Sequence, residues 1–313
     1  MNWTILDYQA RTILEHHALE DALFEALCAD ALSPTIVFSQ ISTPGISLGA
    51  NQSTSDVRLE DATRDGLVVV ERHSGGRAML LGPKYLVVSF FTKQGTSSRD
   101  AYQQILETYI VRPLEEAFGF SVTIENVNDL VIQKNKQGII GQQTGIDPFL
   151  LADSGSFHSR KFGGAAARKE RDAIFVHCYL RLEEDNRDML RYITLGGIDL
   201  LPYHSQIDLF ATSLTTLVNT PVFFNQVRTV ILNHLEKNGG ACTHTTLSEE
   251  LALAVQLKAE QYATNNSLFS RQQVRETQIS RGHCDIIGGS GPTFYYKIPE
   301  LESLVRQRGI VVK

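Results

Sequence analysis

The sequence predicts an α+β fold in which a mixed, largely antiparallel sheet is packed by helices, and three observations carry that expectation. Residues 12–31 and 100–118 repeat apolar side chains every three or four positions, the period of a helix with one buried face. Between them, short β-branched and aromatic runs are punctuated by Gly and Pro and read as strands joined by tight turns. Tight turns favour antiparallel pairing, because parallel neighbours need long crossovers. Past Asn186 the pattern becomes helical, so strands and helices are segregated rather than strictly alternating.

The elements follow in order. In residues 12–31, Leu14, Ala18, Leu19, Ala22, Leu23 and Ala26 form the apolar stripe, with His and acidic residues on the other face. Residues 35–38 and 46–48 read as two strands around a turn at Thr43-Pro44-Gly45. Three more strands, 68–71, 78–81 and 85–91, are broken at Gly75-Gly76 and Gly82-Pro83. The helix over 100–118 carries Tyr102, Ile105, Leu106, Tyr109, Ile110 and Leu114 on its apolar side. Strands are expected again at 129–133 and 173–182. The Gly- and Ser-rich stretch 134–166 between them is longer than an ordinary connection, which marks a functional or disordered loop. Helices are expected over 221–237 and 248–263, and a short one over 298–308. No internal repeat is present.

Bulk composition bounds the function. With 313 residues the chain fits one large domain or two unequal ones. It is 42% hydrophobic and 20% charged, an ordinary globular balance, and its net charge of −6 argues against wholesale nucleic-acid binding. Cys28, Cys178, Cys242 and Cys284 are far apart with no Cys-x-x-Cys pair, a spacing that suits reduced thiols better than a disulfide framework. The N-terminus lacks a basic-then-apolar layout and no apolar run reaches membrane-spanning length. A soluble, cytoplasmic protein without nucleic-acid or membrane partners is expected.

The stretch Glu71-Arg72-His73-Ser74-Gly75-Gly76-Arg77-Ala78 directly follows the apolar run Leu67-Val68-Val69-Val70. Paired glycines let backbone amides approach a ligand closely, and flanking arginines add fixed positive charge. The pattern suits a small anion such as a carboxylate or phosphate, or simply a turn.

Further segments line up with it: His17-Ala18-Leu19-Glu20-Asp21-Ala22-Leu23, Ile46-Ser47-Leu48-Gly49-Ala50-Asn51-Gln52, Asn128-Asp129-Leu130-Val131-Ile132, and Lys161-Phe162-Gly163-Gly164-Ala165-Ala166 followed by Ile174-Phe175-Val176-His177. In this order they resemble the lipoate–protein ligase and octanoyltransferase superfamily, which shares its catalytic fold with biotin–protein ligases. The resemblance spans about residues 10–268 and implies that α+β catalytic fold over 1–268, with 269–313 a C-terminal tail in place of a full accessory domain. It implies that Arg72, Ser74, Gly75, Gly76 and Ala78 wrap the acyl chain and activated carboxylate, with His177 also at the substrate. Asn128 and Asp129 would take the nucleotide side, with Asp129 at Mg²⁺. Lys161 would contact both acyl carbonyl and phosphate as the catalytic residue. ATP and Mg²⁺ are the implied cofactors and lipoate or octanoate the substrate. The implied partner is a lipoyl carrier domain, of the E2-subunit or glycine-cleavage H-protein type. Taken singly, Asp129 reads as a strand opener, His177 as a core histidine and Lys161 as a solvated loop lysine; the ordered match raises all three.

The chain also departs from the pattern. Arg77 follows Gly75-Gly76 where many ligases have a third glycine, and the Ser-Gly-Gly-Arg-Ala form looks more like the octanoyltransferases. Those enzymes use a nucleophilic cysteine shortly before the segment equivalent to 128–132, yet no cysteine occurs between Cys28 and Cys178. The absent nucleophile and the Asn-Asp pair favour an ATP-dependent ligase. ATP-independent acyl transfer between carriers, with Cys178 as the candidate thioester, and a non-catalytic binding relative are the alternatives. Gly138-Ile139-Ile140-Gly141 also resembles the lysine motif but lacks its lysine. Choosing Lys161 implies an insertion over residues 133–160, which would be a lid or a carrier-docking loop. His283 and Cys284 lack two further ligands for a metal site.

Overall fold

The main sheet is mixed, and its two faces are decided by strict alternation along three central strands. The computed structural model describes residues 2–50, 52–94, 97–133, 159–184, 186–265, 285–287 and 298–308. In chain order the elements are β1 (Trp3–Ala10), α1 (Ile13–Cys28), β2 (Thr35–Ile41), β3 (Gly45–Leu48), α2 (Leu59–Arg64), β4 (Val68–Glu71), β5 (Met79–Leu81) and β6 (Tyr85–Lys93). They continue with α3 (Ser98–Leu106), α4 (Arg112–Phe118), β7 (Val122–Glu125), β8 (Asp129–Gln133), β9 (Ser159–Glu170) and β10 (Ala173–Arg181). Then come α5 (Asn186–Leu190), β11 (Thr194–Leu195), β12 (Ile198–Asp199), α6 (His204–Asp208), α7 (Leu214–Val218) and α8 (Phe224–Lys237). The last are β13 (Cys242–Thr245), α9 (Glu249–Asn265), β14 (Asp285–Ile287) and α10 (Pro299–Gln307).

The main sheet runs β13-β1-β2-β6-β10-β9-β8-β7, with β14 also on β9. β1 is parallel to both β2 and β13, and the remaining pairs are antiparallel. The α+β expectation therefore holds. Ile36 and Phe38 of β2, Val88 and Phe90 of β6, and Val176 and Cys178 of β10 face one side, against Tyr102 and Ile105 of α3 and Ile231 of α8. Each large apolar side chain buried there contributes about 1.5–3 kcal/mol. Their neighbours Val37, Phe91 and Phe175 face the other side, under α1 and α9.

A second, small sheet has the order β4-β3-β5. Here the expected antiparallel arrangement fails in part. β4 and β5 do not pair across Gly75-Gly76; they flank β3, with β4 parallel to it. α2 is the crossover that makes the parallel pair possible. Likewise the turn at residues 43–45 carries the chain from the main sheet into the small one rather than closing a hairpin.

Three more differences have local causes. α1 begins at its N-cap Thr12, whose hydroxyl accepts from the Glu15 amide at 3.3 Å, but its polar face is not solvated. His16, His17, Glu20 and Asp21 are all buried, because α1 lies between the two sheets. The expected helix over 100–118 widens to a π turn at Glu107–Val111. Pro113 lacks an N–H and its ring would crowd the Tyr109 carbonyl, which the wider turn relieves. Residues 159–166, expected within a loop, belong to the twelve-residue strand β9, since pairing with β8 and β10 overrides their weak β propensity. The remainder of that stretch, with Gly138-Ile139-Ile140-Gly141, and His283 and Cys284, lie outside the described residues. Among the described residues no helix is long and apolar enough to cross a membrane.

Candidate functional site

Between the small sheet, β9, β10 and the segment from α5 to α6 lies a cavity of about 1050 Å³ counted to its open mouth. One part is polar: Arg72, Gly76, Arg77, Asn128, Asp129 and Lys161. The rest is mostly apolar, with Met79, Met189, Leu190, Ile193, Leu200 and Phe210 among its walls. The sequence motifs thus converge although they lie as much as 89 positions apart (72 to 161).

Lys161 is placed by its backbone. β8 and β9 slip register between Leu130 and Val131, a bulge that redirects the side chain. The Lys161 amide donates to the Phe210 carbonyl at 2.8 Å, and its carbonyl accepts from the Thr212 amide at 2.8 Å. Its ammonium pairs with the Asp129 carboxylate, which is almost wholly buried. Gly164 lies alongside it: a Cβ there would make ordinary contact with Lys161 Nζ at 3.5 Å. Asp129 is the one carboxylate among the described lining residues. A single carboxylate at the polar part of the cavity is the kind of donor set Mg²⁺ accepts, since that ion takes few protein oxygens and completes its shell with phosphates and water.

Arg72 is buried and acts chiefly on its own turn. Its Nε and Nη2 donate to the Gly75 carbonyl at 3.1 and 2.6 Å, and Nη2 also to the Arg77 carbonyl at 3.0 Å. Its Nη1 donates to the Ser47 carbonyl and hydroxyl at 3.1 and 3.0 Å. The turn is tight enough to demand glycine. Gly76 has φ +89°, and a Cβ there would lie 2.8 Å from Arg72 Nη2. A Cβ on Gly49 would lie 2.0 Å from the Gly76 carbonyl. Arg72, Gly76 and Ala78 reach the cavity, together with Asn128, Asp129 and Lys161; Ser74, Gly75 and His177 do not line it. They stand behind the wall.

His177 belongs instead to a buried cluster around Glu20. The carboxylate lies 3.0 Å from His17 Nδ1, 3.0 Å from His177 Nδ1 and 3.2 Å from His16 Nε2, and it accepts from Ser89 Oγ at 2.8 Å. The far nitrogen of each ring meets a serine hydroxyl: Ser47 for His17 (2.8 Å), Ser74 for His177 (2.8 Å) and Ser39 for His16 (3.1 Å). With Glu20 ionised, these contacts assign N–H to His17 Nδ1 and His177 Nδ1, with the Ser47 and Ser74 O–H groups donating to their Nε2 atoms; the Tyr179 hydroxyl also lies 2.9 Å from His177 Nδ1. Burial pushes His17 down to about 4, outweighing Glu20, and lowers His177 likewise. Burial alone would raise Glu20, but the three histidines hold it well below the usual carboxylate range. Burial thus favours neutral His17 and His177 beside an ionised Glu20.

Two other readings of these groups fail on geometry. Donor atoms of His16, His17 and Glu20 lie within 4.8 Å of one another, yet the carboxylate itself fills the space between the rings. A dication there would also face the buried Arg72 cation. Ser74, His177 and Glu20 have the connectivity of a hydrolytic triad, but Ser74 is 1% exposed and turns away from the cavity.

The cluster makes stability acid-sensitive. Between about pH 6.5 and 4 the unfolded chain takes up a proton at His17 that the folded chain refuses, so stability falls as pH falls through that window. The expected loss from His17 alone is about 2 kcal/mol at about pH 5, and Glu20 adds to it below about pH 4.5. Urea unfolding midpoints at pH 7 and 5 measure this; His17→Gln should abolish much of the difference.

Cys178 faces the opposite side of β10, inside the α3 core, and burial pushes its thiol pKa far up. It is an inert core thiol. Sequence reasoning missed Tyr179 and Arg181, which line the cavity; with His177 they share one face of β10, and period-two alternation from His177 would have found them. It also missed Asn186, whose side chain accepts from Arg181 Nη1 at 2.5 Å and donates to Asp208 at 2.7 Å.

Comparisons with known proteins agree with this geometry. The family model for the lipoyl protein ligase A/B catalytic domain matches residues 12–236. A bipartite lipoate protein ligase from Thermoplasma acidophilum, studied with its E2 lipoyl domain, superposes with a TM-score of 0.66 at 14% identity, covering 83% of this chain and 92% of that one. Lipoate-protein ligase A bound with ATP gives 0.62 at 14% identity over 83% and 95% of the two chains. LipL1 of P. falciparum in complex with lipoate gives 0.58 at 15% identity over 82% and 72%. At such identities the likeness is one of fold. No curated protein sequence matches the chain.

Proposed function

The chain belongs to the lipoyl protein ligase A/B catalytic-domain family, and from that premise we propose that it joins lipoate or octanoate to a carrier lysine through an acyl-adenylate made from ATP. One observation carries this reading: the Lys161 ammonium, paired with Asp129, stands at the polar end of a cavity whose remaining walls are largely apolar. An apolar chain ending in a carboxylate matches that division.

In this reading the acyl chain lies along Met79, Met189, Leu190 and Ile193, and its carboxylate is directed toward Lys161. Attack of a carboxylate oxygen on the α-phosphorus of ATP forms the acyl-phosphate bond and releases pyrophosphate. Negative charge builds on the α-phosphate as it does so. A lysine about 4 Å away offers roughly 4 kcal/mol of attraction at an effective dielectric near 20. Lys161 therefore acts by charge and position, because phosphoryl chemistry of this kind asks for little else. Asn128 and Asp129 face the nucleotide; Asp129 would hold Mg²⁺, which when bound neutralises phosphate charge. Arg72, Ser74, Gly75, Gly76 and Ala78 shape the wall, Ser74 and Gly75 from behind it, with His177 supporting Ser74. In the second half-reaction the ε-amine of a lipoyl-domain lysine, on an E2 subunit or H-protein-like carrier, attacks the acyl carbonyl and AMP leaves.

We take residues 1–268 as the catalytic unit and 269–313 as its tail. Leu301 and Val305 of α10 pack against Leu190, Leu195, Leu200 and Ile207, all four of which line the cavity, so the tail backs the acyl wall. Transfer without ATP has less support: Cys178 is buried on the far face and Ser74 points inward. Incubation with lipoate, ATP, Mg²⁺ and a lipoyl domain, read by intact mass, tests the reading. One acyl group should be added to the carrier, and none to a carrier whose target lysine is arginine. Modification that proceeds equally without ATP would overturn it.

A further inference from the structure

We propose that Glu20 is a positioning residue for the cavity wall: through two histidine–serine arms it fixes the turn from Arg72 to Arg77 at Arg72 and at Ser74. The first arm runs from the carboxylate to His17 Nδ1 (3.0 Å), from His17 Nε2 to Ser47 Oγ (2.8 Å), and on to Arg72, whose Nη1 donates to that hydroxyl at 3.0 Å. The second runs to His177 Nδ1 (3.0 Å) and from His177 Nε2 to Ser74 Oγ (2.8 Å). The Ser74 carbonyl in turn accepts from the Ala50 amide at 3.0 Å. Beyond Ser74, the Arg72 guanidinium gathers the Gly75 and Arg77 carbonyls.

The other contacts of Glu20 lead to the rigid sheet. Ser89 Oγ comes from β6, and His16 reaches Ser39 of β2. Ser39, Ser89 and His177 sit on three adjacent strands, where His177 is opposite Ser89 and Ser89 opposite Val37. The carboxylate therefore ties a glycine turn with few backbone bonds of its own to the centre of the fold.

Each arm has a direction. An ionised Glu20 only accepts, so His17 Nδ1 and His177 Nδ1 carry N–H, their far nitrogens accept, and Ser47 and Ser74 donate to them; the Tyr179 hydroxyl, 2.9 Å from His177 Nδ1, then takes that contact as acceptor. Moving one ring's proton to its far nitrogen would set a bare ring nitrogen against the carboxylate, two buried acceptors face to face, and an unmade buried hydrogen bond is costly where no water replaces it. His16, His17, Glu20, Ser47, Ser74 and His177 are all less than 5% exposed, so water does not compete. A core that only needed filling would be served by apolar side chains. This network ends on the cavity turn, and its charge is balanced by the arginine that shapes that turn.

Glu20→Gln keeps the volume but turns one acceptor into a donor facing an imidazole N–H, which breaks an arm. Hydrogen exchange of the full chain reads the result without any ligand. The amides of Arg72 and Ala50, which bond the Leu48 and Ser74 carbonyls, should exchange about tenfold faster or more, while Val88 and Val176 in the central strands keep their protection. Ser74→Ala cuts the second arm at its far end, serves if Glu20→Gln does not fold, and should accelerate Ala50 similarly. Unchanged exchange at the turn would overturn the proposal, as would acceleration equal to that of the central strands.

A second readout rests on the acyl-acid reading above. Calorimetric affinity for lipoate should fall about tenfold in both single variants, and by less than the product of the two in the double variant, because Ser74→Ala cuts an arm that starts at Glu20. Losses that multiply would contradict the shared arm. If the unmodified chain binds neither lipoate nor octanoate, the acyl reading fails, and exchange alone still decides the role of Glu20.

Discussion

Lys161→Ala is expected to yield a folded protein whose adenylate formation is slower by about 10²–10³-fold, the usual cost of removing one charge-stabilising donor. Folding should survive because the backbone clamp on this strand position, from the Phe210 carbonyl and the Thr212 amide, does not involve the side chain. The ammonium is 36% exposed, whereas its partner Asp129 is 3% exposed. The structural loss is thus confined to one carboxylate left without its cation. Lys161→Arg should also be slow, since a planar guanidinium does not take the place of a compact ammonium. Pyrophosphate release gives the rate and a thermal melt gives the stability. A Lys161→Ala variant with normal pyrophosphate release would remove Lys161 from the site.

Arg72→Met should be strongly destabilising, by about 3 kcal/mol or more, since three buried carbonyls lose their donor at about 1–3 kcal/mol each. These are the carbonyls of Ser47, Gly75 and Arg77. Arg72→Lys should recover little, because a single ammonium cannot span the carbonyls on both sides of the turn. Arg77 is the contrast. It is partly exposed and pairs with Asp56 at 3.4 Å, so the ion pair lost in Arg77→Ala should cost about 1 kcal/mol or less. Urea unfolding of the two variants at pH 7 measures the difference. Equal losses would mean that the turn does not depend on its internal arginine.

Much of this architecture is legible in the sequence, and the exceptions share a cause. The strand pattern over residues 173–182 and the three- and four-residue spacing over 100–118 give strand and helix, apart from the π turn at 107–111, because each element packs apolar side chains on the core. The polar face of α1 misleads: a pattern with His16, His17 and Glu20 opposite leucines reads as solvent-facing until a second sheet is known to lie across it. The order β4-β3-β5 is equally hidden, since neighbours in sequence need not be neighbours in a sheet. Lys161 reads as a loop residue because glycine and alanine follow it, and only pairing with β8 makes it a strand.

The site shows the same division. Arg72, Gly76, Asn128, Asp129 and Lys161 are recognisable as residue types suited to an anion and do meet at one cavity. Their division of labour is not recognisable. Arg72 spends its donors on carbonyls of its own turn and of Ser47, and His177 faces Glu20 rather than the cavity. Hydrogen-bond partners a hundred positions away, such as Ser74 and His177, leave no local trace in composition or spacing.

The central claim is that the Lys161 cavity makes an acyl-adenylate. The purified chain should be mixed with lipoate, ATP and Mg²⁺ in the absence of any carrier, and the products separated and weighed by mass spectrometry. Lipoyl-AMP and pyrophosphate should accumulate to about one equivalent of enzyme and disappear as AMP when a lipoyl domain is added. Intact ATP with no lipoyl-AMP, while the same protein still acylates a lipoyl domain from an acylated carrier, would contradict the account.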